Sequence, residues 1–403
     1  MSTSFYKRTV WQLLKKMQHG RLTLTDENGS QFDFGQTDTM AADIRINHKD
    51  FYKEVVLYGD IGFGEAFMQG LWETRSVTSV ISFMIANMAH LPTMSGSKRM
   101  FSPINLLKLH NRLLHLLKPN SLKGARKNIS EHYDLSNDFF RLFLDPGMTY
   151  SCALFEDERL SLEQAQNRKY ERLCKEVLLQ KGNRVLEIGC GWGGFAIYAA
   201  SNYGCQVTGI TISREQYDYA RSRVEKAGLE DSVEIVFEDY RKVTGKFDRI
   251  VSIEMIEAVG HKYMETYFRK ITDLLNPDGV LGLQAIIIPD NRYDEYRKSV
   301  DWLQKHIFPG GLLPSVAKIN ASINRVGNLN MYSLKEMGLS YAGTLRHWFN
   351  NFKSNMESIK KLGFDDMFLR KWEYYLCCCE ASFLQRNINV VQMVYARPNN
   401  PLI

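Results

Sequence analysis

The sequence predicts an α/β fold, a parallel Rossmann-like sheet with helices on both faces, preceded by a small N-terminal α+β domain. Three observations carry this expectation. The stretch Arg184-Val-Leu-Glu-Ile-Gly-Cys-Gly-Trp-Gly-Gly-Phe-Ala-Ile-Tyr198 runs from a buried strand through a glycine turn into an apolar helix start. Around it, apolar runs at 185–188, 205–210, 233–237, 247–253 and 279–288 alternate with helical patterns, as in parallel sheets that bind ligands at the carboxyl ends of their strands. Near the start of the chain, Leu22, Leu24, Phe32 and Phe34 alternate around Asp26-Glu-Asn-Gly29, a hairpin signal that follows a short basic helix over 6–17.

Composition narrows the classes. A chain of 403 residues with 44% hydrophobic content suffices for two domains and a sizeable core, and it carries no repeats or low-complexity tracts. A net charge of +6 suits an anionic surface but is shared by many ordinary enzymes. Seven cysteines without paired spacing point to a reducing compartment rather than a disulfide framework, and the lack of a CxxC pair argues against zinc. The opening Met-Ser-Thr-Ser-Phe-Tyr-Lys-Arg has no apolar core of signal-peptide type, and no apolar run reaches membrane-span length. The expectation is a cytoplasmic protein, or one that lies on a membrane without crossing it.

Taken in order, the N-terminal domain covers 1–122. The segment 51–72 is rich in glycine and aromatics without evident chemistry. Val77, Val80, Ile81, Met84, Ile85 and Met88 share a helical face, which reads as core packing. Over 104–117, Leu106, Leu109, Leu113, Leu116 and Leu117 share one face while Lys108, Arg112 and His115 lie elsewhere, and Lys118, Lys123, Arg126 and Lys127 follow. Such a segment either lies on an anionic bilayer or is a core helix with a solvated basic face. Pro119-Asn-Ser121 and Gly124 mark the boundary, and 123–403 forms the catalytic domain. There, 162–179 reads as a helix, 290–325 as an insertion that caps a substrate, 345–386 as helical and aromatic, and 388–396 as the last strand.

The glycine spacing distinguishes cofactors. A dinucleotide fingerprint reads G-x-G-x-x-G with an acidic residue about twenty positions on. Here the order is G-x-G-x-G-G, Glu187 precedes it, and Thr211 stands where the acid would be. This resembles motif I of class I S-adenosylmethionine-dependent methyltransferases and implies their Rossmann-like sheet.

Four stretches resemble the family of cyclopropane fatty acyl phospholipid synthases and mycolic acid cyclopropane synthases. They are His132-Tyr-Asp-Leu-Ser-Asn-Asp-Phe-Phe140, Thr149-Tyr-Ser-Cys152, the glycine turn, and Gly209-Ile-Thr-Ile-Ser-Arg-Glu-Gln216. The match covers roughly 125–400, and the N-terminal domain fits the longer, phospholipid-acting members. The resemblance implies S-adenosylmethionine contacts from Tyr150, Ser151, Glu187, Gly189, Cys190, Gly191, Gly193, Thr211, Gln216, Asp239, Tyr240 and Arg241. The implied reaction uses an acyl-chain double bond as nucleophile toward the sulfonium methyl, followed by proton loss and ring closure. It needs a dry site with electron-rich faces, for which Tyr150, Phe155, Tyr341 and Trp348 are candidates, and a base near the added methyl.

In the family that base is a bicarbonate ion, which the resemblance assigns to Cys152, Glu257, Gln284, Ile286 and Tyr341. One position departs from the pattern. Where the family reads Leu-His-Thr-Ile, this chain has Leu283-Gln-Ala-Ile286, and a neutral amide can donate to an anion but cannot carry charge or relay a proton. A second anomaly is Glu380, where better-known members have a small residue, so a Glu380 carboxylate polarised by Gln284 becomes an alternative base. Cys379 matches a cysteine once proposed as a nucleophile, although the chemistry needs no covalent intermediate.

The expected activity is therefore methylene transfer to the double bond of an unsaturated phospholipid acyl chain at the inner membrane surface, without metal or nucleic acid. A homodimer stays open. A branch that loses a different proton would give a methylene-branched chain. Methyl transfer to a small amine, hydroxyl or sterol, and a non-catalytic lipid-binding protein, are the competing classes.

Overall fold

A computed structural model of the chain describes residues 3–36, 40–88 and 135–403. The basic segment 104–127, the boundary at 119–124 and the start of the His132 motif lie outside the described residues. The chain divides into two units. The first comprises Met1–Leu117, Arg292–Pro309 and Trp348–Asn387, and the second comprises Lys118–Asn291, Gly310–His347 and Ile388–Ile403. A single cut near residue 122 does not describe this division, because two later segments group with the N-terminal residues.

The first unit holds a four-stranded sheet, β1 (Arg21–Thr25), β2 (Gln31–Gly35), β3 (Ala41–Ile46) and β4 (Trp72–Glu73), in the order β2-β1-β3-β4. The expected hairpin forms as β1 and β2, and its turn closes through the Asp26 carboxylate, which accepts from the Asn28 and Ser30 backbone N–H groups. The glycine-aromatic stretch becomes a helix over Asp50–Met68, bent at Gly59. Its role is packing. A side chain at Gly64 would lie 2.5 Å from the Trp302 ring, and Arg370 donates to the carbonyls of Phe67 and Trp72 at 2.6 and 3.0 Å. Such contacts tie the helices Trp302–His306 and Asp366–Leu384 to N-terminal residues far away in sequence, which no local pattern announces.

The second unit is built on seven strands: β5 (Arg184–Ile188), β6 (Gln206–Thr211), β7 (Val233–Phe237), β8 (Phe247–Ile253), β9 (Leu275–Ile287), β10 (Asn330–Glu336) and β11 (Asn389–Ala396), in the order β10-β11-β9-β8-β5-β6-β7. The five strands from β9 to β7 are parallel, whereas β11 runs antiparallel between β9 and β10, so the sheet is mixed rather than wholly parallel. Strand β10 is mostly exposed and has no apolar alternation to betray it. Apolar side chains cover both sheet faces. Leu186, Ile250 and Leu281 pack with Tyr267, Phe268 and Ile271 of the helix Met264–Leu274. Val185 and Val207 pack with Leu173 and Phe195, from the helices Leu162–Glu176 and Gly194–Tyr203. Among the described residues, no helix is long and apolar enough to cross a membrane, and no cluster of side chains could hold a metal ion.

Candidate active site

Strand β5 ends at Ile188, and the chain turns through Gly189, Gly191 and Gly193, all at positive φ, before the helix begins at Gly194. The N–H groups of Gly189 and Cys190 both donate to Ile210 O at the end of β6, which clamps the turn against the neighbouring strand. Two glycines are required for different reasons. A Cβ on Gly189 would sit 2.7 Å from Met255 Cγ, so the turn touches the loop after β8, while a Cβ on Gly191 would meet nothing within 4 Å and would enter open space. Arg223 donates to Trp192 O and Gly147 O, joining the turn to the segment that leads into Tyr150.

Residues of the expected cofactor set line the strand ends around this turn. The Thr211 hydroxyl donates to Gln216 Oε1 at 3.0 Å, and Asp239 is held by Arg241 in a paired contact at 2.7 Å, beside Tyr240. Tyr150 packs edge-on against Phe140, and the Ser151 hydroxyl accepts from Lys169 Nζ at 2.7 Å. Glu187 is buried, its Oε2 has no hydrogen-bond partner, and burial pushes its carboxyl up to about 8. An open glycine cradle beside an unsatisfied carboxylate fits a cationic, nucleoside-bearing ligand.

The second cluster lies at the ends of β8 and β9. Ile253 pairs with Gln284, and the next residue, Glu254, sits at φ +50 with its N–H on Gln284 O. Glu254 Oε1 accepts from the Cys152 N–H at 2.8 Å and from Gln284 Nε2 at 2.7 Å, and Oε2 accepts from the Tyr341 hydroxyl at 2.8 Å. Burial raises the Glu254 carboxyl above its ordinary value, opposed by the charge of Lys169, a fully buried lysine that desolvation lowers to about 8. Gln284 is fixed in turn: its cross-strand partner Gln392 donates to Gln284 Oε1 at 2.9 Å and accepts from Arg172 Nε at 2.8 Å.

Glu257, three residues on, accepts from the Ile286 N–H at 2.6 Å through Oε1, while Oε2 has no partner. Burial and then the neighbouring Glu254 charge raise its carboxyl to about 8. All five residues expected around bicarbonate therefore lie in this cluster, but Glu257 and Ile286 bond to each other, and Cys152, Gln284 and Tyr341 bond to Glu254. The donor set does not fit an additional anion, because a carboxylate of the chain already fills it.

Two expectations are corrected. The carboxylate that Gln284 polarises is Glu254. Glu380 belongs to the first unit, where it is buried and accepts from the Thr78 hydroxyl at 2.7 Å. Cys379 lies on the same helix as Glu380, and desolvation pushes its thiol well above the ordinary range, the opposite of a thiolate nucleophile. Of the candidate aromatics, Tyr150, Phe155 and Tyr341 belong to the second unit, with Phe155 stacked on His347, whereas Trp348 groups with the first. The sequence reading missed Glu254, Lys169, Gln392 and Arg172. The available signal was the pair of glutamates in Ser252-Ile-Glu-Met-Ile-Glu257 directly after a strand.

Comparison with known proteins places these features in context. The family model for mycolic acid cyclopropane synthetase matches residues 120–393. Tuberculostearic acid methyltransferase UfaA1 of Mycobacterium tuberculosis is 38% identical over 386 residues, covering 91% of this chain and 86% of that protein. Cyclopropane-fatty-acyl-phospholipid synthase of Escherichia coli K12 is also 38% identical, over 88% of each chain. Among solved structures, the cyclopropane synthase MmaA2 of M. tuberculosis has a TM-score of 0.63 at 29% identity, covering 68% of this chain and 98% of its own. The mycolic acid cyclopropane synthase CmaA1, complexed with SAH and CTAB, has a TM-score of 0.63 at 30% identity, covering 67% of this chain and 97% of its own.

Proposed function

Because the chain belongs to the mycolic acid cyclopropane synthetase family, we propose that it converts the double bond of an unsaturated phospholipid acyl chain into a cyclopropane ring. It is an S-adenosylmethionine-dependent methyltransferase of the class I fold that acts on lipid. The observation that carries the finer reading is the meeting of the glycine turn with the loop after β8, which sets the open cradle beside a fixed carboxylate at the ends of adjacent strands.

When bound, S-adenosylmethionine supplies an electrophilic methyl group: the alkene's π pair forms the new bond, sulfur keeps the pair of the bond that breaks, and positive charge moves to the acyl chain. Glu187 and the glycine turn would hold the donor, and Thr211, Gln216, Asp239 and Tyr240 would hold its nucleoside. The rings of Tyr150 and Tyr341 would face the developing cation, and a base at the strand ends would take the proton. The methylene-branched product shares every step before proton loss. Two relatives of equal identity are named for different lipids, so identity does not decide between products.

The test is incubation with S-adenosylmethionine and vesicles of oleoyl phospholipid, followed by proton NMR of the extracted chains. Upfield ring protons are the expected result. Olefinic methylene signals would select the branched product, and efficient methylation of a soluble amine with unaltered lipid would overturn the reading. Peripheral attachment to the inner membrane surface belongs to the same proposal. It predicts faster turnover on anionic than on neutral vesicles, with the advantage lost in salt.

A further inference from the structure

We propose that Glu254 is the base of this reaction, a carboxylate built into the chain where the resemblance implies a bicarbonate ion. The inference rests on the function proposed above and goes beyond it, since it names the proton acceptor and removes a cofactor.

The hydrogen bonds make the case. An anion held by the Cys152 N–H, the Gln284 amide and the Tyr341 hydroxyl is the expected arrangement, and the anion found there is Glu254. Of the other two residues assigned to bicarbonate, the Ile286 N–H is engaged by Glu257 Oε1. A further anion would find these donors engaged and would lie against a negative charge.

The replacement of histidine by Gln284 then has a physical reason. A carboxylate anchored by the backbone needs an oriented donor rather than a mobile proton carrier, and the chain Arg172 to Gln392 to Gln284 to Glu254 fixes which way the amide points. The geometry also leaves the carboxylate usable. Oε1 accepts two hydrogen bonds and Oε2 one, so of roughly four lone-pair positions on an ionised carboxylate one remains, on Oε2. Glu254 is partly exposed rather than sealed in the core.

Backbone conformation points the same way. A glutamate at φ +50 adopts a left-handed conformation that is unfavourable for a side-chain-bearing residue and that glycine adopts freely. Such strain persists where the surroundings over-determine it, often at functional sites. In the proton step, Glu254 Oε2 takes one hydrogen of the added methyl as a proton. The electron pair of that C–H bond forms the third ring bond and neutralises the acyl cation, and the carboxylic acid then releases its proton to solvent. The balance is one ring, one S-adenosylhomocysteine and one proton, with no oxidant or reductant.

The experiment uses the full chain, S-adenosylmethionine and oleoyl phosphatidylglycerol vesicles in bicarbonate-free buffer, with and without added millimolar bicarbonate. Wild type is expected to run at full rate in both. Glu254→Gln should lose about 100-fold or more in kcat while binding S-adenosylmethionine normally by calorimetry. Glu254→Gly, which relieves the positive φ, should melt no lower than wild type, lose turnover without bicarbonate and recover it on addition. Carbon-13 NMR should detect labelled bicarbonate bound to this variant and not to wild type. A bicarbonate-dependent wild type, a bicarbonate signal from wild type, or full activity of Glu254→Gln would overturn the assignment while leaving the proposed function intact. A wild type that leaves the lipid unchanged in both buffers would overturn both.

Discussion

Two carboxylates, one in each unit, show what separates a structural acid from a chemical one. Glu380 is 3% exposed, sits on regular helix and meets a neutral hydroxyl, so its environment is closed and relaxed. Glu254 is partly open, sits on strained backbone, accepts three hydrogen bonds and shares its surroundings with the buried cation Lys169. The sequence presents both as glutamates flanked by mostly apolar neighbours. The difference lies in backbone strain and access.

The comparison can be broken most sharply at Tyr341. Tyr341→Phe removes the Oε2 donor, and we expect kcat to fall by about 100-fold with KM for lipid little changed, measured on vesicles. A rate within twofold of wild type would mean that the Glu254 geometry is incidental. Next in size is Gln392→Ala, which frees the Gln284 amide to rotate. A roughly tenfold loss of kcat with unchanged S-adenosylmethionine affinity would mark Gln392 as a positioning residue, whereas an equal loss of affinity would argue for general disruption.

Gly191→Ala tests the cradle separately. Its methyl would meet no protein atom, so we expect about tenfold weaker S-adenosylmethionine binding by calorimetry, with a melting temperature lowered by a few degrees because alanine is strained at φ +52. The Glu380 side should respond inversely. Thr78→Val withdraws a donor from a buried carboxylate and should lower the melting temperature by a few degrees, and Glu380→Gln should retain kcat within about twofold in bicarbonate-free buffer. Loss of activity in Glu380→Gln with normal melting would restore Glu380 as a candidate base.

The smallest effect concerns Glu257. Its folded-state value is raised to about 8, so its stabilising contribution is full below the unfolded value near 4.5 and disappears as pH rises through about 8. Glu257→Gln should therefore gain in melting temperature relative to wild type as pH goes from 5 to 8, by a few degrees. A constant difference across that range would show that the group is not perturbed.

Much of the fold was legible because buried parallel strands write themselves as apolar runs. The runs at 233–237 and 247–253 match β7 and β8 to the residue. Exposed β10 was not legible, since an edge strand with solvated side chains on both faces leaves no period. The grouping of Cys152, Gln284, Ile286 and Tyr341 in one cluster was legible, since residue identity alone carries the resemblance. The site was illegible where backbone conformation or distant partners decide.

Nothing in Ser252-Ile-Glu-Met announces a positive φ at Glu254, and Lys169, in a helix stretch rich in charge, reads as solvated although it is fully buried. The partner of Glu380 stands 302 residues away in sequence, beyond any local reading. The same distance hid the grouping of residues 348–387 with the N-terminal unit.

The left-handed kink at residue 254 has a consequence for physiology. A proton acceptor attached through a peptide bond cannot be diluted, washed out or competed away, so its local concentration is set once, when the polypeptide folds. On this reading the catalyst needs no dissolved carbon dioxide, and a cell short of the gas could go on remodelling its lipids at an undiminished pace.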